Sequence, residues 1–421
     1  MPPLPRRQFI STLALASASV AFAPHVFAAV GGKPDKVKVG VIGCGGRGTG
    51  AINDFMQAAK ILGIAVEVTA CADAFASQAV SLGSKVGVPP ARCFGGYDSY
   101  QKVIASGCEY ILLATPPAFR PIHLAAAVEA GKHCFVEKPV AVDPVGARSI
   151  IASGEKAKSK GLAIVAGTQR RHSAEYQRNK ALIDAGAIGA IRGGVVQWNG
   201  TVPWTKRRNA GESDADYMAR NWVNFTGMSG DHIVEQHVHN IDVAVWFLGR
   251  LPISALGFGG RARRETGDQF DFFSVDLDFG DGVHIHSQCR QITGTTGRVG
   301  EFFTGAAGTA FGGGKIAGKR VDVAPIKLES DNPYVQEHVE LIKGVIAGKP
   351  LNEARQVAES TAVAIMGRIS AYTGEQIRWD DIMTDAQSPH YNFACKPTAA
   401  DFERGAVTLA PEVPAIPGKK G

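Results

Sequence analysis

No two of the seven cysteines in this 421-residue chain are spaced as a Cys-x-x-Cys pair. They stand at Cys44, Cys71, Cys93, Cys108, Cys134, Cys289 and Cys395, an odd number. Neither a disulfide framework nor a thiolate metal centre is expected, and these residues read as small buried hydrophobes. The chain also lacks a dense Lys/Arg run interleaved with aromatic residues, and its net charge of +6 is small for the length. A nucleic-acid partner is therefore not expected. A composition of 45% hydrophobic and 20% charged residues is that of an ordinary globular protein with enough apolar material for two sizeable cores.

The first segment stands apart from the folding argument. Residues 1–30 carry twin arginines at Arg6 and Arg7, then Phe9 and Ile10, a mildly apolar stretch, and small residues suited to cleavage near Ala28. The pattern predicts a twin-arginine export signal and a periplasmic destination. That route carries proteins already folded, commonly with a cofactor inside. The apolar stretch is too short and too rich in Ala and Ser to span a bilayer, so no stable membrane anchor is expected.

From Lys36 the sequence KVKVGVIGCGGRGTGAINDF alternates, becomes continuously apolar, and passes through glycines into a helical pattern. Gly43 suits a tight turn, Gly45 lets the backbone approach a pyrophosphate, and Gly48 lets helix and strand pack closely. The run Gly43, Cys44, Gly45, Gly46, Arg47, Gly48 is expected to cradle a dinucleotide at a helix N-terminus. A second strand ends in Asp73, where a carboxylate would bind ribose hydroxyls and repel a 2′-phosphate, favouring NAD over NADP. Strand-like and helix-like stretches go on alternating. Thr115, Pro116 and Pro117 follow a buried strand, His123 falls just inside the next helix, and Glu137, Lys138 and Pro139 stand at the carboxyl end of another strand. A lysine before proline is held extended, so its side chain is aimed. The pattern predicts an α/β Rossmann domain over 34–160.

The motifs VGVIGCGGRG, ATPP and EKP in this order, followed by an α+β half with a histidine-bearing helix, resemble the Gfo/Idh/MocA family of NAD(P)-dependent sugar and polyol oxidoreductases. The resemblance covers nearly the whole chain after the export segment, and EKP is its most specific part. It implies NAD as cofactor, a small carbohydrate or polyol substrate, and Lys138 beside the nicotinamide. It also implies an open sheet that covers the substrate site and joins subunits into a homodimer or homotetramer.

After about Ala163 the period changes, which predicts an α+β substrate domain over 161–385 with a large open, mainly antiparallel sheet. In DFFSVDLDFGDGVHIHSQC, Val275, Leu277 and Phe279 alternate with polar residues, Asp281-Gly282 marks a turn, and Val283 and Ile285 alternate with His284 and His286. This is a hairpin with one buried face. His284 and His286 share the other face without a third ligand, so no metal site is expected. Residues 386–421, rich in proline, are expected to lie as an extended arm.

The stretch GDHIVEQHVHNID, residues 230–242, places Asp231, Glu235 and His239 four residues apart and Asp242 three further on. A single helix would set all four on one side, with His239 between carboxylates. Oxidation of a secondary alcohol needs a group to take the hydroxyl proton, and an imidazole suits that near neutrality. The family resemblance implies an acid at Glu235, where aspartate is common, and the proton acceptor at His239, with Lys138 stabilising alkoxide charge. His232 and His237 lack the helix side of His239. Trp198, Trp204 and Trp222 offer flat faces to sugar C–H groups, and Lys206, Arg207, Arg208 and Asn224 offer donors. Gln169, Arg170 and Arg171, near the domain junction, are expected to touch substrate together with Trp198, Trp204 and Asp242.

These readings predict an NAD-dependent oxidoreductase with tightly held cofactor. A redox-neutral NAD-dependent glycoside hydrolase is the alternative, working by oxidation, elimination, hydration and reduction. In glycosidases of the resembling family a tyrosine stands three residues before the histidine, where this chain has Gln236. A non-catalytic sugar-binding protein is the lesser alternative.

Overall fold

The computed structural model describes residues 33–409 and 411–418, so the expected export signal over 1–30 lies outside the described residues. Strand β1 (Lys36–Ile42) runs through the glycine loop into α1 (Gly46–Ile61). There follow β2 (Ala65–Asp73), β3 (Cys93–Gly95), β4 (Tyr110–Leu113), α2 (Arg120–Glu129), β5 (His133–Val136), α3 (Pro144–Ser159) and β6 (Ile164–Ala166). All six strands are parallel, in the order β3-β2-β1-β4-β5-β6. In β1 the lysines at 36 and 38 are exposed while Val39 to Ile42 are all buried. The strand thus passes from a half-covered to a doubly covered sheet, as its change from alternating to continuous apolar residues requires. The order in which strands are added reverses between β1 and β4, which leaves a crevice at their carboxyl ends.

The second sheet has eight strands: β7 (Ile191–Gly200), β8 (Ser254–Gly260), β9 (Phe272–Asp278), β10 (His284–Gln291), β11 (Arg298–Gly305), β12 (Gly308–Phe311), β13 (Ile316–Ala317) and β14 (Ile377–Arg378). Their order is β13-β12-β11-β7-β10-β9-β8-β14. Every pairing is antiparallel except that of β7 with β10. Among the helices between β7 and β8 are α4 (His232–Glu235) and α5 (Val238–Leu248), and α6 (Pro333–Ile346) and α7 (Ala354–Thr373) precede β14. The predicted hairpin forms with Asp281 and Gly282 at φ 55° and 69°, both positive as a type I′ turn demands. Val275, Leu277 and Ile285 enter the core against α5 and α7, while Leu256, Phe258, His284 and His286 stay on the open face.

Two expected boundaries shift. The sequence break placed at 160/161 falls too early, because β6 pairs with β5 and is wholly buried. Helix α6, far along the chain, returns to the first domain. There Val335, Val339, Leu341 and Ile342 share a core with Ile52 and Phe55 of α1. The terminal stretch from 386 is not extended throughout. A short helix, Ala399–Glu403, opens with a Thr398/Asp401 capping box and buries Phe402. Among the described residues no helix is long and apolar enough to cross a membrane.

Candidate active site

A cavity of about 960 Å³ opens at the carboxyl ends of β1, β2 and β4, a volume suited to a cofactor and small substrate. Gly43, Gly45, Gly46, Arg47, Asp73, Thr115, Pro116, His123, Glu137 and Lys138 line it, whereas Cys44, Gly48 and Pro117 do not. Gly43 takes φ +92°, and a Cβ there would lie 2.6 Å from the Thr115 nitrogen. At Gly48 a Cβ would come within 1.8 Å of the Gly43 carbonyl, so this glycine serves helix–strand packing. A Cβ on Gly45 or Gly46 would meet nothing within 4 Å. Gly45 stands at the N-cap of α1 and offers no side-chain cap, leaving first-turn N–H groups for an anion.

Asp73, at the end of β2, accepts hydrogen bonds from the Cys44 N–H at 2.8 Å and the Phe75 N–H at 3.0 Å. Its burial raises the carboxyl pKa while these bonds pull it back. Cys44 thereby acts through its backbone. His123 Nδ1 lies 3.2 Å from Thr115 Oγ1, and burial together with Arg120 pushes this ring down to about 3, so it is neutral. Arg120 donates to the carbonyls of Thr115 and Pro139, and Glu137 pairs with Arg47. The loops after β4 and β5 are thus tied together around the crevice. Open glycines, an uncapped helix start and an acid at the β2 end form a donor and acceptor set that fits a dinucleotide.

Lys138 crosses to the second domain. Its Nζ donates to the Glu235 carbonyl at 2.8 Å and lies 3.3 Å from Glu235 Oε1, with both side chains largely buried. Glu235 and Gln236 also line the cavity. The single helix expected over 231–242 does not form. Asp231 takes φ +69° and caps α4, and its carboxylate turns away to the Phe270 N–H at 3.0 Å and the Tyr372 hydroxyl. Backbone helicity lapses at Gln236, and His237 Nε2 is bound to Ser287 Oγ of β10 at 2.8 Å. As a result Asp231, Glu235, His239 and Asp242 do not share one side.

His239 does not itself line the cavity; it is 7% exposed, with its ring stacked on Trp198 at 5.7 Å. Flanking carboxylates were the sequence expectation for this ring. Instead burial, then Lys138, Arg170 and His237, hold its pKa well below the ordinary value. The imidazole is neutral and can accept a proton.

Most of the expected substrate contacts are taken up elsewhere. Gln169 Nε2 donates to the Tyr334 hydroxyl at 3.1 Å, and Arg170 pairs with Glu301 at 2.6 Å. Arg171 grips Asp242 through Nε at 2.9 Å and a second nitrogen, also at 2.9 Å, and Ser360 Oγ donates to Asp242 at 2.7 Å. None of these four lines the cavity, and neither does Trp198. Trp204, Lys206 and Trp222 do line it, whereas Arg207, Arg208 and Asn224 do not. Arg208 pairs with Asp214, and Asn224 is buried, donating to the Trp204 carbonyl at 3.0 Å. Sequence reasoning missed Tyr97, Arg220, Gln236 and Gln291 as lining residues. No local pattern marks them, since each reaches the wall through tertiary folding. His284 and His286 bind Asp276 and Ser274 across the hairpin. Among the described residues no group of three or more potential ligands could hold a metal ion.

Comparison with known proteins agrees with this fold. Residues 37–166 match the profile described as "Oxidoreductase family, NAD-binding Rossmann fold", and residues 176–310 match "GFO/IDH/MocA C-terminal domain". Inositol 2-dehydrogenase 3 of Saccharopolyspora erythraea is 35% identical over 171 residues, covering 40% of this chain and 47% of that protein. Inositol 2-dehydrogenase of Cereibacter sphaeroides is 29% identical over 230 residues, covering 55% of this chain and 59% of that protein. The chain thus spans about half the length of the curated relatives it matches. The WlbA dehydrogenase from Bordetella pertussis, solved with NADH and UDP-GlcNAcA, has the same fold with a TM-score of 0.62 at 19% identity, over 82% of this chain and 98% of that one.

Proposed function

Because the chain belongs to the Gfo/Idh/MocA oxidoreductase family, we propose that it is an NAD-dependent oxidoreductase acting on a secondary hydroxyl of a sugar, glycoside or polyol. One observation carries the reading. Lys138 of the first domain reaches Glu235 of the second at the wall of the dinucleotide cavity, shortly before the neutral His239 in the first turn of α5. When bound, NAD supplies the hydride acceptor. The Lys138 ammonium donates to the substrate oxygen and stabilises its developing negative charge. His239 takes the hydroxyl proton, for which an uncharged ring is required. Glu235 orients Lys138. The Asp73 carboxylate supports NAD over NADP, since a 2′-phosphate would meet its charge.

The names of the curated relatives put a polyol such as inositol first among substrates. The twin-arginine pattern supports export to the periplasm with the cofactor retained. The open face of the second sheet, with Leu256 54% and Phe258 66% exposed, supports a homodimer or homotetramer assembled through it. A redox-neutral glycosidase cycle would draw on the same three residues.

The test begins with the purified full chain, denatured without added nucleotide and analysed by mass spectrometry for what it releases. Turnover is then measured with a panel of polyols and sugars, following NADH, and with aryl glycosides, following aglycone. Polyol-dependent NADH formation supports net oxidation, whereas aglycone release without net NADH moves the assignment to the redox-neutral cycle. Full turnover by Lys138→Met and His239→Asn would sink the assigned roles, leaving sugar binding without catalysis by these groups.

A further inference from the structure

The cavity does not end within the first domain. Trp204, Arg220, Trp222 and Val223 line it as well. They belong to a segment, 203–225, that contributes no strand to either sheet and contains the helix Asp214–Arg220. Two fully buried asparagines pin its irregular first half. Asn221 Oδ1 accepts from the Lys206 N–H at 2.7 Å, and Asn224 Nδ2 donates to the Trp204 carbonyl at 3.0 Å.

This segment is fastened at the Asp73 end of the pocket. The Gly96 N–H donates to the Asp73 carbonyl at 3.2 Å, and the next residue, Tyr97, donates its hydroxyl to Asp216 Oδ1 at 2.9 Å. The terminal arm closes over the same place. The Leu409 N–H donates to Asp214 Oδ2 at 2.9 Å. The Phe402 ring lies 5.1 Å from both Tyr97 and Phe119. Phe119, Tyr217, Met218, Phe225 and Phe402 form one buried cluster, distinct from the two domain cores. Three parts of the chain, far apart in sequence, therefore meet at the rim where the acid of β2 stands.

We propose that the segment 203–225 and the arm 399–409 form a clamp that retains the bound dinucleotide between turnovers. The proposal rests on the NAD reading of the pocket. A molecule leaving past Asp73 must wait for Tyr97–Asp216 and the aromatic cluster to part. That opening exposes apolar rings to water, so it is infrequent, and the cofactor departs slowly.

The experiment loads the full-length protein with NADH, mixes it with excess NAD and follows loss of bound-NADH fluorescence. Phe402→Ala opens the aromatic contact. Tyr97→Phe and Asp216→Asn remove or weaken one hydrogen bond and keep the packing, so they test the clamp even where Phe402→Ala does not fold. The expected result is slow release from the parent protein, at least tenfold faster release from Phe402→Ala, and severalfold faster release from the other two. Release at the parent rate in all folded variants overturns the clamp while leaving the cofactor reading intact. A parent protein that binds no NADH overturns both.

Discussion

Replacing Asp242 by alanine separates a structural from a substrate-binding role for this residue. Arg171, in the turn that follows β6, holds Asp242 of α5 in a two-nitrogen grip, with Ser360 of α7 adding a third bond. The Arg171 guanidinium also lies over Trp246 at 5.1 Å. Asp242 is 2% exposed, so Asp242→Ala leaves a buried guanidinium and a buried hydroxyl without their acceptor. Breaking one side of a buried pair costs about 3–5 kcal/mol. At roughly 2–4 °C per kcal/mol for a domain of this size, the melting temperature should fall by ~10 °C. The double variant Arg171→Met/Asp242→Leu, which removes both charges, should recover most of the loss. Thermal melts followed by circular dichroism, with KM measured on the same samples, provide the assay. A single variant that melts within a degree or two of the parent but binds substrate weakly would refute this reasoning and restore Asp242 to the substrate.

Lys138→Met should lower kcat by about 10²–10³, the usual loss on removing one charge-stabilising donor, with NADH binding retained by fluorescence titration; unchanged kcat would contradict its role. The glycines should divide by what a Cβ would meet. Gly48→Ala, forced against the Gly43 carbonyl, should lose several kcal/mol in denaturant titrations, whereas Gly45→Ala, with open space around it, should fold normally and weaken NAD binding by about tenfold or more through crowding of the phosphate cradle. Tight NAD binding by Gly45→Ala would count against that cradle. Acid should destabilise the fold through its buried imidazoles: burial holds His123 and His237 down to about 3 and His133 to about 4. Their unfolded value is about 6.5, so each contributes stability that is present above it and lost as pH falls, at up to ~1.4 kcal/mol per pH unit. His172 runs the other way, because Glu353 and Glu340 outweigh its burial and raise its pKa; its contribution is present below about pH 6.5 and opposes the three. The urea midpoint should therefore be lower at about pH 5 than at about pH 7, and an equal or higher midpoint at the acid value would refute the balance.

Local pattern sufficed wherever backbone chemistry decides structure. The β1–glycine–α1 unit and the Asp281-Gly282 hairpin are both specified within short windows, and the structure contains each of them. Residues whose partners lie far along the chain were not legible. Arg170 and Arg171 looked available for substrate because Glu301 and Asp242, which neutralise them, stand 131 and 71 residues away. The regular spacing of Asp231, Glu235 and His239 suggested one helix, yet the chain breaks where His237 turns inward to Ser287 of β10, 50 residues on. Gln236 faces the cavity through that break, and no helical periodicity could have placed it there.

The return of α6 to α1 also sets an order in time. During synthesis the glycine loop, the parallel strands and Asp73 emerge early, but the apolar flank of α1 stays bare until Val335, Val339 and Ile342 leave the ribosome. Until then the half-made protein carries a phosphate cradle on an unsupported helix. A chain truncated after β6 would hold nearly every residue of the dinucleotide motif and still lack the surface that keeps α1 in place, so the nucleotide-binding half of this protein becomes a finished object only near the end of its own translation.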